Sequence, residues 1–468
     1  MDISSGAGEW ASEQAATATF GNSLRVDRFR RMLRRLAEHA AGQVTKAFPD
    51  SAERQGAYKF IEGSVPPTSV INALSDATLR ASAGLPFIYV PVDGTSLSLT
   101  DRIGVKDFGS VGARAFPTRG LKVIDAIALE PNGTPLGLLD LQVWSRGPKA
   151  ETSKRERRRR GETETQHWVD SIDAVATRAR RAGVVPWFLV DREGDASVIL
   201  QAVRRAEGFF TIRVSQKDRR CFDGKRPRSV LQAMARRTTI GTHSVDVPKS
   251  ATRRERTAAL DVRIGRITLH LHEHGANQVE LDTYVVWAHE RRGPRGEERL
   301  DWMLFTNRPV NSFAEAIAII ESYCHRWRIE DFHRAWKRGH CRVEDTQLRK
   351  RDHVVRWAAM HAAVALRVER LKHLARTRPD EPATIALSPI EVEALKSAKR
   401  TQFMKRTETV GEEMPSIAVA VRWIAEYGGF AGNKSSNPGS VTIGRGLEQL
   451  LVYARGFAHG VKSARKRG

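Results

Sequence analysis

The chain has 468 residues, enough for about two or three domains with a large core. Its 77 Lys and Arg against 54 Asp and Glu leave a formal charge of +23, which favours a polyanionic partner, most simply nucleic acid, over a merely soluble basic protein. Three scattered cysteines exclude a disulfide framework or a zinc knuckle, and no apolar run nears the roughly 18 residues needed to span a bilayer. The opening MDISSGAGEW lacks the charged and apolar regions of a signal peptide, so the expectation is a cytoplasmic protein with no membrane partner.

Residues 1–75 read as helical. The stretch 24–41 puts Phe29, Leu33 and Leu36 on one side and Arg28, Arg30, Arg31, Arg34 and Arg35 on the other. A second helix carries Ala57-Tyr58-Lys59-Phe60. Clustered cations suit phosphate contacts, which makes Arg28 and Arg31 candidates for DNA binding; the plainer reading is a solvated face.

Residues 87–92 (FIYVPV) form a strand-like run ending in Asp93-Gly94-Thr95-Ser96. A strand that stops there sets the Asp93 carboxylate at the carboxyl edge of a sheet, with small residues beside it. The alternative is a turn Asp capping the next segment. Two further strands, 121–129 and 135–144, flank Pro131-Asn132-Gly133. The densest basic run, Lys154-Arg-Glu-Arg-Arg-Arg-Arg160, precedes a helix over 162–181 and reads either as a solvated loop or as one facing phosphate. Trp168 in that helix reads as core.

Residues 184–190 (VVPWFLV) are continuously apolar, as in a strand buried on both faces, and lead into Asp191. A helix follows over 196–205; Glu193 and Asp195 read as acids at a helix start, outside any metal site. A strand over 209–215 precedes a β-rich stretch, 216–300, with strands at 262–271 and 279–289. His270, His272 and His274 alternate on one strand face, but no Cys or acid completes a zinc site, so they read as surface histidines. A strand over 301–307 closes the stretch.

Residues 313–337 contain no Pro or Gly and read as one long helix at about 100° per residue. Tyr323, Arg326, Glu330 and Lys337 then fall within about 60° of one another. His325, Ile329, Phe332 and Trp336 form the opposite, buried stripe. On its own the polar face reads equally as solvated, with ion pairs at i,i+4. Taken with Asp93 and Asp191, it makes three acids from three elements, the composition of a metal site, with cations suited to a polyanionic substrate. Residues 350–375 form a further helix, Ala-rich and buried over 357–368. Residues 376–382 read as a linker, and the tail 387–468 is helical with breaks at 428–429 and 433–439. The closing Lys-Ser-Ala-Arg-Lys-Arg reads as disordered or phosphate-binding.

Tyr-x2-Arg-x3-Glu-x6-Lys, at Tyr323, Arg326, Glu330 and Lys337 within HRWRIEDFHRAWK, resembles the signature of bacterial cut-and-paste DDE transposases of the IS-four/Tn-five type. FGNSLRVDRFRRML and ERQGAYKFI resemble the DNA-end-recognition domain of that family, with Asn22 in place of its usual Asp. Asp191-Arg-Glu-Gly-Asp195 is similar to its second acid motif, and LSPIE and WIAEYGGF to its carboxy-terminal helical region.

The resemblance implies an α/β fold: a ribonuclease-H-like catalytic core interrupted by a β-rich insertion, with helical N- and C-terminal domains. It implies DNA-end recognition by 1–75, a DDE catalytic domain over 76–375 with its insertion at about 216–300, and helical dimerisation over 376–468. Asp93, Asp191 and Glu330 would be the catalytic and metal-binding acids, holding two Mg²⁺ ions about 3.5–4 Å apart, with Asp93 bridging and Mn²⁺ able to substitute. Tyr323, Arg326, Lys337 and Arg213 would contact DNA, and Trp302 and Trp327 would engage a flipped base. The implied reaction is hydrolytic nicking of transposon ends, hairpin formation and opening, then strand transfer into target DNA. It would proceed within a synaptic homodimer on double-stranded DNA, in the bacterial cytoplasm at the nucleoid. The alternatives are a non-enzymatic DNA-binding regulator and a nuclease of the same fold without strand transfer. A covalent tyrosine recombinase is disfavoured, since no paired Arg-His-Arg constellation accompanies Tyr323.

Overall fold

The computed structural model describes residues 6–111, 118–146, 163–247, 254–272, 278–293, 296–297, 299–403, 409–432 and 436–465. The basic run 154–160, His274 and the last three residues lie outside the described residues. The chain divides into two compact units. One comprises Met1–Ser82, Gly94–Pro148 and Glu330–Gly468, the other Ala83–Asp93 and Lys149–Ile329.

The strands, in chain order, are β1 (Ile88–Ser98), β2 (Gly109–Ser110), β3 (Arg119–Leu129), β4 (Pro135–Trp144), β5 (Pro186–Val190), β6 (Phe209–Arg213), β7 (Arg220–Asp223), β8 (Arg226–Ser229), β9 (Gly241–Val247), β10 (Arg256–His272), β11 (Gln278–Glu290) and β12 (Asp301–Thr306). The protein is therefore mixed α/β.

The second unit is built on a mixed sheet. The first half of β1 pairs in parallel with β5, and β5 with β6. β12, β11 and β10 then add antiparallel strands, with β9 and β7 both on β10 and β8 on β7. β5 is buried along its whole length, as its unbroken apolar sequence requires. The helix Glu164–Arg181 buries Trp168, Ile172, Val175 and Ala179, a 3.6-residue stripe that makes Trp168 a core residue. His270 stacks on Phe222 with ring centroids 4.4 Å apart, and its Nε2 lies 3.4 Å from Glu280, the residue opposite it on β11.

In the first unit β3 and β4 form an antiparallel hairpin across Pro131-Asn132-Gly133. Gly133 takes φ +82°, a conformation that glycine adopts without strain. The helices Ser23–Glu38, Ser51–Ile61 and Pro67–Ala81 carry the expected apolar stripe, with Phe29, Leu33 and Leu36 fully buried. Asn22 caps the first of them by accepting from the Arg25 amide at 2.9 Å, so Asn here serves the cap as an Asp would. Ala7 and Ala37 share a core with Val368, Leu371, Leu395, Ile424, Leu450 and Ala454. The helix Arg351–Thr377 runs through this unit, buried on nearly every side. Trp357 Nε1 donates to the Gly42 carbonyl at 2.8 Å and Arg356 Nη1 to that of Ile61 at 2.7 Å. No helix among the described residues is long and apolar enough to cross a membrane.

Three expectations need correction. The helix over 313–337 is not continuous: Phe313–Cys324 ends in a 3₁₀ turn, His325–Trp327, and Arg328–Lys337 resumes the α-helix. A 3₁₀ turn has 3.0 residues per turn rather than 3.6, so an arc computed on one continuous helix does not carry across it. β1 does not stop at Asp93 but runs on to Ser98, where it accommodates Gly94-Thr-Ser as extended backbone. Residues 376–382 are not a free linker. Arg378 Nη2 donates to Glu381 at 2.6 Å, Pro382 bridges Ser416, and the Ala383 amide donates to the Pro415 carbonyl at 2.9 Å.

Candidate functional site

Two of the three expected acids belong to the second unit. β1 and β5 are in parallel register to Val92↔Val190, and the next residues are Asp93 and Asp191. Neighbouring strands lie about 4.8 Å apart, so both carboxylates leave the same region of the sheet. Apolar residues build this edge: Val90, Val92, Phe188, Leu189 and Val190 are fully buried beneath it. One Asp191 oxygen accepts from the Glu193 amide at 2.8 Å and caps the short turn Arg192–Gly194. Asp195 is committed elsewhere. It is buried, accepts from the amides of Ser215 and Gln216 at 2.8 Å each, and pairs with Arg219.

Arg326 meets this edge, its Nη1 donating to Asp93 Oδ2 at 3.3 Å. Its guanidinium lies 5.8 Å from the centre of the Tyr323 ring. Tyr323 is only 2 % exposed, so the face expected to be polar is in fact packed at this point. Burial raises the Tyr323 pKa above its ordinary value; Arg326 and Arg213 oppose the shift and Asp191 adds to it. The phenol is therefore neutral at physiological pH and able to donate a hydrogen bond. Arg213 ends β6 opposite Leu304, with Nη2 donating to the Asp301 carbonyl at 3.3 Å. Trp302, buried on β12, meets Trp327 edge-on at 5.8 Å, and Trp327 is 42 % exposed. The second tryptophan thus offers a ring to solvent, backed by the first.

Glu330 and Lys337 belong to the first unit. Glu330 lies in the first turn of Arg328–Lys337, where an acid is favoured by the helix dipole. Phe332 and Trp336 are fully buried on this helix and stack at 5.4 Å, and Trp336 Nε1 donates to the Ala358 carbonyl at 2.9 Å. Lys337 Nζ donates to Thr95 Oγ1 at 3.1 Å and lies 3.9 Å from Glu344. Burial lowers the Lys337 pKa, and Glu344 opposes that shift. Among the described residues no three acidic, histidine or cysteine side chains are grouped so as to hold a metal ion as they stand.

Residues 158–367 match the family described as the transposase DDE domain, and residues 363–467 the transposase Tn5 dimerisation domain. The chain belongs to the DDE transposases of the IS-four/Tn-five-like kind. The two matches overlap at residues 363–367 and cover the chain from before Asp191 to its last helix; Asp93 lies ahead of them.

The basic face of Ser23–Glu38 is less uniform in this transposase than its sequence suggests. Arg30 and Arg31 are exposed, Arg30 pairing with Asp27 at 3.0 Å. Arg28 instead lies flat on Gly56 of the next helix, where any larger residue would meet its guanidinium. Arg35 Nε donates to the Ala47 carbonyl at 3.1 Å. Arg31 is held only by a long bond from Nε to the Asp27 carbonyl at 3.4 Å, whereas Arg28 packs two helices together.

Sequence reasoning overlooked Glu344, Asp125 and His333. Glu344 gathers the Ser98 amide at 2.8 Å and Arg338 at 2.7 Å. Asp125 is fully buried in β3 and accepts from His333 at 2.8 Å. The signal for Asp125 was present as a lone acid inside the apolar run LKVIDAIAL.

Proposed function

We propose that this DDE transposase cuts transposon-end DNA and joins it to target DNA with Asp93, Asp191 and Glu330 as its three essential carboxylates. The observation that carries this reading is the β1–β5 register, which sets Asp93 beside Asp191 with Arg326 on Asp93. Carboxylate oxygens are the hard donors that Mg²⁺ and Mn²⁺ prefer, and the cation already paired with Asp93 supports a site suited to positive charge. Two such ions, which Asp93, Asp191 and Glu330 would hold, would supply an activated water or 3′-hydroxyl and neutralise the leaving oxygen.

The chain's own residues do the rest. Arg326 offers a planar fork that grips a phosphate through two N–H groups, while Lys337 supplies a point charge. Tyr323, kept protonated by burial, donates to a phosphate oxygen and is not a nucleophile. Arg213 adds charge at the end of β6. Trp327, with Trp302 behind it, stacks on an extruded base, an interaction worth about 1–3 kcal/mol. In this reading residues 1–75 recognise the transposon end, with Arg28 and Arg31 on its phosphates, and residues 376–468 form the dimer of the synaptic complex. Nicking, hairpin formation, hairpin opening and strand transfer then follow on a ribonuclease-H-like core.

The test is incubation of the purified protein with duplexes carrying the inverted repeats that flank its coding region, with and without Mg²⁺. Asp93→Ala is expected to abolish cleavage while end binding, read by mobility shift, persists. Cleavage by Asp93→Ala at the wild-type rate rejects the assignment. Cut ends without donor-to-target joining would make the protein a nuclease, and binding without nicking a regulator.

A further inference from the structure

The helix that carries Glu330 is anchored by a buried polar contact that the reaction, as proposed above, does not use. Part of its grip on the first unit is apolar, through Phe332 and Trp336, whose indole also donates to the Ala358 carbonyl on a neighbouring helix. Apolar packing is non-directional and leaves a helix some freedom to rotate or slide. His333, one turn after Glu330, breaks that pattern. Its Nε2 meets Asp125 Oδ2 at 2.8 Å, and Asp125 comes from the middle of β3.

Asp125 is costly where it stands. Its side chain is 0 % exposed, and its second oxygen is buried with no hydrogen-bond partner among the described residues. An apolar residue of similar volume would avoid that cost, because a buried ion pair is commonly matched or exceeded by good apolar packing. What an apolar residue lacks is direction. A second polar contact between the helix and a strand is Lys337 Nζ to Thr95 Oγ1, one turn further on. The two contacts lie four residues apart on the helix, so together they fix both its rotation and its height against the strands.

We propose that Asp125 and His333 are positioning residues for Glu330: their buried hydrogen bond sets the rotation of the acid-bearing helix. This rests on the assignment of Glu330 as an essential carboxylate. A contact that only stabilised the fold would be replaceable by apolar packing without loss of rate; a positioning contact is not.

The experiment compares His333→Gln with His333→Asn in the full-length protein. Gln carries its amide nitrogen about as far from the backbone as Nε2 and can donate to Asp125; Asn has the same chemistry but is too short. Single-turnover nicking of end DNA, mobility shift, thermal unfolding and Mn²⁺ binding by electron paramagnetic resonance are measured for each. His333→Gln is expected within about threefold of wild type, and His333→Asn down 10- to 100-fold in rate with weaker Mn²⁺ binding and unchanged end affinity. Asp125→Val is expected to lose rate equally while its unfolding temperature is unchanged or higher. Equal rates and equal Mn²⁺ binding for the Gln and Asn variants overturn the proposal. So does a rate loss in Asp125→Val that merely follows a loss of folded protein. Wild type that does not nick in Mg²⁺ refutes the assignment of Glu330 and this inference with it. Wild type that nicks beside equally active variants refutes only this one.

Discussion

Asp195 lies four residues after Asp191 and is acidic, so the two compete for the role of ligand; Asp195→Ala separates them. The Asp195 carboxylate accepts two backbone amides, Ser215 and Gln216, at 2.8 Å each, the Ser215 hydroxyl at 3.3 Å, and the Arg219 guanidinium. Arg219 is itself largely buried, and burial lowers its pKa, with Asp195 holding the charge in place. Truncation leaves that cation without its carboxylate, a loss of about 3–5 kcal/mol for a broken buried pair. It also takes away the acceptor of two backbone amides, but Ser215 and Gln216 are exposed, so water replaces most of that loss. These effects share one cavity and do not add, so the expected net destabilisation is about 3–6 kcal/mol. That is a large part of the roughly 5–15 kcal/mol that holds a domain folded.

The assay is amide hydrogen exchange over β6 and the turn after it, alongside denaturant unfolding. Protection at Ser215 and Gln216 should collapse in Asp195→Ala. Asp195→Asn keeps one amide acceptor and should lose about half as much, roughly 1.5–3 kcal/mol. If exchange and unfolding are unchanged while metal-dependent cleavage disappears, Asp195 belongs with the ligands and the division drawn between it and Asp191 is wrong.

Three more outcomes are expected. Arg31→Ala should weaken binding to any DNA duplex and reduce the slope of log affinity against log salt by about 1, whereas Arg28→Ala should also lower the unfolding temperature because it packs on Gly56. Glu448, on Ser440–Arg465, accepts from the Ala40 amide at 2.6 Å, and burial pushes its pKa up to about 7. Its folded pKa exceeds its unfolded one, so its favourable contribution is complete below about pH 4.5 and lost as pH rises through 7; Glu448→Gln should flatten stability across that window and add about 3 kcal/mol at pH 8, read by thermal unfolding. Burial raises the thiols of Cys221 and Cys324 to about 11, and Cys341 is fully buried, so Cys221 and Cys341 should react with a disulfide reagent only after denaturation and the half-buried Cys324 slowly before it.

Much of the fold was legible because local sequence encodes local structure. The continuous run ending at Val190 is a buried strand, the break at Pro131-Asn-Gly133 is a hairpin, and Phe29, Leu33 and Leu36 line one helix face. The errors have the same origin. Nothing local in Tyr-Cys-His-Arg-Trp marks the 3₁₀ turn at His325–Trp327. That Asp-Gly-Thr-Ser continues β1 depends on extended neighbours distant in the chain.

The sequence alone determined the basic charge, the helix and strand segments, and which acids, cations and tryptophans are candidates, because composition, periodicity and the spacing of a motif are properties of neighbouring residues. Only the tertiary structure decided that Asp93 and Asp191 each follow the last paired residue of two parallel strands in register. It also decided that Asp195 belongs to Arg219, that Tyr323 is packed rather than solvated, and that Asp125 reaches His333 across some 200 positions. Those pairings are set by which strands lie side by side and by what burial does to a charge, and neither can be read along one stretch of chain.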